Sequence, residues 1–135
     1  MKPSALTAIN VLASLAALSG SLEMTTPALA AYNKVCGVNK GGYVAEYKLL
    51  VGNNIVGKDS GWSNGVKNGD EKCYKASDFS ADPSATFTFY VRGVGGSGSP
   101  TTCHPTNQTF SSGSNSTAKY LSKGNLFDIS CQMKN

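Results

Sequence analysis

The sequence predicts an all-β protein, an antiparallel β-sandwich of about seven short strands with two disulfides. Three observations lead there. Apolar and polar residues alternate with a period of two in several short runs, turn-forming clusters interrupt the chain at short intervals, and the four cysteines form an even set.

The alternation is clearest in Tyr43-Val44-Ala45-Glu46-Tyr47-Lys48-Leu49-Leu50-Val51. There Tyr43, Ala45, Tyr47, Leu49 and Val51 fall on one face, with Glu46 and Lys48 on the other. A second run places Phe87, Phe89 and Val91 inward against Thr86, Thr88, Tyr90 and Arg92 outward, and a third places Phe127, Ile129 and Cys131 inward. One buried and one wet face is the signature of an antiparallel sheet. Between the runs stand Gly52-Asn53-Asn54, Ser63-Asn64-Gly65, Asn68-Gly69-Asp70, Asp82-Pro83, the glycine-rich 93–100, the serine-rich 111–116 and Lys123-Gly124-Asn125. The expected strands are 42–51, 54–61, 71–77, 85–94, 102–110, 117–122 and 125–132. No segment keeps apolar residues at helical spacing for three turns, and short strands at this spacing suit an immunoglobulin-like sandwich or a small barrel.

Residues 1–30 read as a cleavable export signal. Lys2 gives a positive start, an apolar stretch runs over 8–18, and Pro27-Ala28-Leu29-Ala30 ends in a small-x-small pattern. A spanning helix needs roughly 20 apolar residues, whereas Asn10, Ser14, Ser19-Gly20-Ser21 and Glu23 dilute and end this run. The mature domain is then 31–135, without a transmembrane segment, secreted to an extracellular or periplasmic space and monomeric. The formal net charge is +4, and loss of Lys2 and Glu23 together leaves it unchanged. The lysines are scattered and Arg92 is the sole arginine, so the basic stripe of a nucleic-acid binder is missing.

Cys36, Cys73, Cys103 and Cys131 all lie in the mature part, as expected of a disulfide framework in an exported chain. No CxxC pair offers the close ligands of a zinc site, so no metal and no cofactor is expected. Three pairings are open. The preferred one joins Cys73 to Cys103 around one hairpin and Cys36 to Cys131 between the first and last strands. Loops of that length are worth roughly 3.6 and 4.7 kcal/mol in the chain-entropy model.

Two motifs match catalytic patterns by letter and fail by context. Gly61-Trp62-Ser63-Asn64-Gly65 fits the nucleophile elbow, which needs a strand feeding a helix in a large α/β sheet. Gly93-Val94-Gly95-Gly96-Ser97-Gly98 fits a phosphate-binding turn, but no helix follows. His104 is the only histidine, and a hydrolytic triad would need a serine and a carboxylate brought to it. Trp62, the only tryptophan, is expected to fill the core at the end of the second strand, with an exposed binding anchor as the alternative. Asn107-Gln108-Thr109 and Asn115-Ser116-Thr117 fit the N-glycosylation pattern.

Gly41-Gly42-Tyr43-Val44-Ala45-Glu46-Tyr47 resembles the opening strand of the C-terminal β-sandwich domain of the cholesterol-dependent, thiol-activated cytolysins and of small secreted proteins similar to it. The turn around Trp62, the strand 85–92 and the hairpin 124–130 follow in similar order. The resemblance implies the sandwich fold and a membrane-recognising tip. At the corresponding place, however, 93–105 contains no tryptophan and no large apolar residue, which sets sterol binding and lysis aside, and the pore-forming domains have no counterpart here.

The function expected from the sequence is a secreted, non-catalytic module. It would recognise a protein, glycan or membrane-surface partner through the polar loops 93–105 and 110–117, with Trp62, Gly95, Ser97, His104 and Asn107 as candidate binding residues. A small hydrolase or toxin-like effector using His104 is the alternative.

Overall fold

The computed structural model describes residues 30–56, 60–78, 85–96 and 98–134. The expected leader as far as residue 29, the candidate Ser97 and the expected turn at Asp82-Pro83 lie outside the described residues. Among the described residues ten strands run in chain order: β1 (Ala31–Tyr32), β2 (Lys34–Asn39), β3 (Ala45–Val51), β4 (Asn54–Ile55), β5 (Glu71–Lys75), β6 (Ala85–Gly93), β7 (Thr101–Thr102), β8 (Gln108–Phe110), β9 (Thr117–Asn125) and β10 (Asp128–Met133). One turn of 3-10 helix, Ala76–Asp78, follows β5. A four-stranded sheet in the order β10-β9-β2-β5 packs on a six-stranded one in the order β1-β8-β6-β3-β4, where β7 also pairs with β6. The expected all-β sandwich is the architecture found.

The in-phase residues of β3 and β6 supply the larger sheet's inner face. Ala45, Tyr47, Leu49, Phe89 and Val91 are fully buried, and Val51, Phe87 and, just before β3, Tyr43 nearly so. The aromatic rings then stack across the two sheets. Tyr47 lies parallel to Phe89 at 5.3 Å, Phe89 meets Tyr120 of β9 at 5.4 Å, and Tyr74 of β5 meets Phe89 edge-on at 6.0 Å. The buried tyrosine hydroxyls reach polar partners: Tyr74 donates to the Tyr47 carbonyl and Tyr120 to the Pro105 carbonyl. Among the described side chains, the Tyr43 hydroxyl is the one buried polar atom without a partner.

The structure departs from expectation at several elements. The strand β2 was not foreseen, although it lies inside its sheet between β9 and β5. Its alternation is hidden because the inward positions are Val35 and Gly37, and a Cβ on Gly37 would lie 2.5 Å from the Tyr47 ring and 2.8 Å from Phe89. The gap at Gly37 is what lets the two sheets close over those rings. Pairing of β2 with β9 is parallel, as is that of β1 with β8; all other strand pairs are antiparallel. The expected strand 54–61 ends at Ile55, and 102–110 divides into β7 and β8 around the segment that holds His104. Phe127, expected to face inward, is instead 88% exposed at the apex of the β9–β10 hairpin.

The preferred disulfide pairing is also corrected. The bridges are Cys36–Cys73 and Cys103–Cys131. Cys36 and Cys73 are direct cross-strand partners in β2 and β5, opposite the face that carries Val35 and Tyr74 into the core. Cys103 and Cys131 belong to the core cluster and tie the end of β7, in one sheet, to β10 in the other. The hairpin expected for the preferred Cys73–Cys103 bridge does not exist, since β5 and β7 lie in different sheets.

Candidate functional site

The strand registers fix which loops share an end of the sandwich. Gly93 pairs with Ala45, so loop 93–100 leaves β6 beside the start of β3, and the β9–β10 turn at Leu126 and Phe127 reaches the same end. Phe110 pairs with Ala85 at the beginning of β6, so loop 111–116 leaves from the opposite end. There the Ser114 hydroxyl donates to the Ala31 carbonyl and Asn33 N–H donates to the Ser116 carbonyl. The two loops expected to act together are therefore separated by the length of the strands.

The end that carries 93–100 holds the more developed surface. Val94 is 47% exposed and its N–H donates to the Val44 carbonyl, which brings a second half-exposed valine beside it. Two clefts flank the loop. One, of about 180 Å³, is lined by Arg92, Gly93, Gly96, Ser99, Leu126 and Phe127; the other, of about 410 Å³, is lined by Glu46, Arg92, Val94, Gly95, Gly98 and Pro100. Arg92 is common to both. Its Nε donates to Glu46 Oε1 at 2.8 Å, a bond the register prepares because Glu46 and Arg92 are cross-strand neighbours on the outer face of β3 and β6.

Trp62 does not fill the core. The segment that carries it is pinned along the free side of β3: Ser63 N–H donates to the Tyr47 carbonyl, Tyr47 N–H donates to Ser63 Oγ, and Val66 and Ala45 exchange backbone bonds. Gly61, at φ +82°, turns the chain so closely over the sheet that a Cβ there would strike Ile55. The half-buried indole is thereby laid on the outer face of the larger sheet. The Arg92 guanidinium carbon is 4.2 Å and Lys48 Nζ 4.9 Å from its ring centre, and Lys48 Nζ is 5.8 Å from the Tyr90 ring.

The remaining candidates lie apart. His104 is exposed on a turn between β7 and β8, where its backbone bridges to β10. The open cleft beside it is lined by Pro105, Thr106, Gln132 and Met133. No hydrogen bond joins the imidazole to a serine or carboxylate among the described residues. Asn107, at φ +55°, is exposed and ends the same turn. Among the described residues, Cys36, Glu71 and Cys73 form the one group of three potential metal ligands, and both sulfurs are committed to their disulfide. Thus Trp62 and Gly95 share one region through Arg92, while His104 and Asn107 belong to another.

Arg92, Lys48, Glu46 and Phe127 were not singled out from the sequence. The signal for the first three was present in the outward phase of their strands, but which of them would meet depends on the β3–β6 register and on where Trp62 lands.

No protein-family model matches the chain, and no curated protein matches it either. Among solved structures, that of pneumolysin, a cholesterol-dependent cytolysin, is similar, with 11% sequence identity and a TM-score of 0.46. The resemblance is weak. It covers 76% of this chain and 23% of pneumolysin.

Proposed function

We propose that this chain is an exported, non-catalytic recognition module that engages its partner with the end of the sandwich carrying loop 93–100. The observation that supports this reading is the convergence there of two clefts on Arg92, with Phe127 and Val94 exposed on the rim. Apolar side chains held in water lose solvent contact when a partner covers them, and a cross-linked scaffold keeps the ordering entropy of binding small. The partner class is a protein, glycan or membrane surface.

A binding screen of the oxidised protein against purified proteins, glycans and lipid vesicles tests the reading. The double variant Val94→Ser, Phe127→Ser is expected to weaken whatever interaction is found by about tenfold or more, on the scale of two lost apolar contacts. Replacement of Ser112 and Ser114 at the opposite end leaves it intact. The reverse pattern moves the site to loop 111–116. Hydrolytic activity lost in His104→Ala would overturn the non-catalytic reading.

A further inference from the structure

The outer face of the larger sheet carries a cluster that neither the core nor the strand pairing requires. Trp62 is a large apolar residue placed on the solvent side by hydrogen bonds of its own segment, and its indole N–H has no protein partner among the described residues. Two cations, Arg92 and Lys48, meet the ring, and among the described residues the one carboxylate paired with either is Glu46, on Arg92. The Arg92 side chain is 42% exposed and uses Nε alone for Glu46, so both Nη groups keep their donors available. Lys48 has no ion pair among the described residues.

A cation held against an aromatic face loses rotamer freedom in advance and is partly desolvated, both of which favour a directed contact with an anion. The Arg92 fork suits a planar carboxylate or a sulfate, Lys48 adds a second charge of the same sign, and the aromatic surfaces of Trp62 and Tyr90 suit the C–H face of a pyranose. The cleft of about 410 Å³ alongside, lined by Glu46, Arg92, Gly95 and Gly98, leaves room for more than one sugar ring.

The geometry points to a binding site for an acidic saccharide, a uronate or sulfated sugar, on Trp62, Arg92, Lys48 and Tyr90. This deepens the recognition reading by naming a ligand class. A neutral glycan would leave two cations facing one carboxylate, and an acidic peptide would use the charges without the ring surface.

Because Trp62 is the only tryptophan, its fluorescence reports on the site directly. Oxidised protein titrated with oligogalacturonate, and with a sulfated oligosaccharide, is expected to show a saturable change in tryptophan emission that weakens with added salt. The methyl ester of the same oligogalacturonate binds at least tenfold more weakly. Calorimetry extends the test to variants: Arg92→Gln and Lys48→Gln each weaken binding about tenfold, and Trp62→Ala abolishes it. Lys119→Gln, a charge change on the smaller sheet, leaves it unchanged. The assignment is overturned if neither acidic saccharide binds, if the neutral ester binds equally, if the charge variants have no effect, or if oligoglutamate competes as well as the sugar. Failure of these titrations, with partner capture still lost in the Val94→Ser, Phe127→Ser variant, removes the saccharide assignment alone. Saccharide binding with normal partner capture by that variant removes the proposed partner-binding end and leaves the sugar site standing.

Discussion

The Tyr47 hydroxyl lies 2.7 Å from Ser122 Oγ, and this bond joins β3 of one sheet to β9 of the other between two fully buried residues. Ser122 has a second, longer contact with the Val38 carbonyl at 3.4 Å, whereas among the described residues the Tyr47 hydroxyl has no other hydrogen-bond partner. Removal of either partner should therefore be unequal. Tyr47→Phe is expected to destabilise by about 1 kcal/mol, because Ser122 can still reach Val38, and Ser122→Ala by up to about 3 kcal/mol, because a buried hydroxyl is stranded. In the double variant the stranded group is gone, so the total falls short of the sum. Urea unfolding of the four proteins gives the comparison.

Burial also governs how the tyrosines titrate. Desolvation pushes the Tyr47 hydroxyl up from 10.0 to about 12, opposed in part by the Ser122 hydroxyl and reinforced by Tyr43; it pushes Tyr74 to about 12 as well. Burial likewise raises Tyr120 and Tyr43. The folded state thus holds these protons more tightly than the unfolded chain does. The sign follows from linkage: the stabilising contribution is intact below pH 10, and unfolding becomes progressively easier between pH 10 and about 12. Tyrosinate absorbance and the urea midpoint, followed over that window, should fall out of native behaviour together. A native-state titration of Tyr47 and Tyr74 at their ordinary value would contradict the burial argument.

The two disulfides differ in environment and should differ in behaviour. Each closes a loop, with sequence separations of 37 and 28 residues, so the chain-entropy model gives each about 4 kcal/mol. Cys103 and Cys131 are both buried in the core, while Cys73 is half-exposed on the outside of the smaller sheet. A reductant needs access to sulfur. Mild reduction followed by alkylation and mass spectrometry is expected to label Cys36 and Cys73 first. Replacement of Cys103 and Cys131 by alanine is expected to destabilise more than the same change at Cys36 and Cys73, since it also leaves unfilled volume between the sheets.

Much of the larger sheet was legible in the sequence because β3 and β6 alternate strictly and use large side chains inward. The smaller sheet was legible only in part: the expected strands 71–77, 117–122 and 125–132 overlap β5, β9 and β10, but β2 was missed. Its strand β2 carries glycine where a core residue would advertise an inward position, and its neighbour Cys36 is buried on the outer face by the disulfide. Loss of that periodicity hid the parallel β2–β9 pairing, and with it the disulfide connectivity. The candidate site was half-legible for a related reason: outward phase marks Glu46, Lys48 and Arg92 as surface residues, but Trp62 reaches them from a turn whose path no local pattern encodes. Gly37 offers the sharpest check. Gly37→Ala places a Cβ against Tyr47 and Phe89, and overpacking of this kind is expected to destabilise by about 1–3 kcal/mol, although alanine has the better intrinsic strand and helix entropy. A neutral or stabilising result in thermal unfolding would mean that the sheets do not approach so closely there.

Phe127 and Phe89 are both aromatic residues in alternating runs, yet their roles diverge completely. Phe89 is fully buried among Tyr47, Tyr74 and Tyr120, and Phe89→Ala is expected to cost about 3–5 kcal/mol. Phe127 occupies the hairpin apex, where its N–H and that of Asp128 are both taken by the Asn125 side chain. Gly124, at φ +100°, lies so close to the Asp128 carbonyl that a Cβ would collide with it. The turn is thus shaped by Gly124 and Asn125, and the phenyl ring contributes nothing to it that burial could reward. Phe127→Ser should therefore change stability by no more than about 0.5 kcal/mol, whereas Asn125→Ala, which releases two backbone donors to water, should cost about 1 kcal/mol. Unfolding curves that showed a loss for Phe127→Ser comparable with Phe89→Ala would place the ring inside the protein and remove the exposed rim on which the proposed recognition end depends.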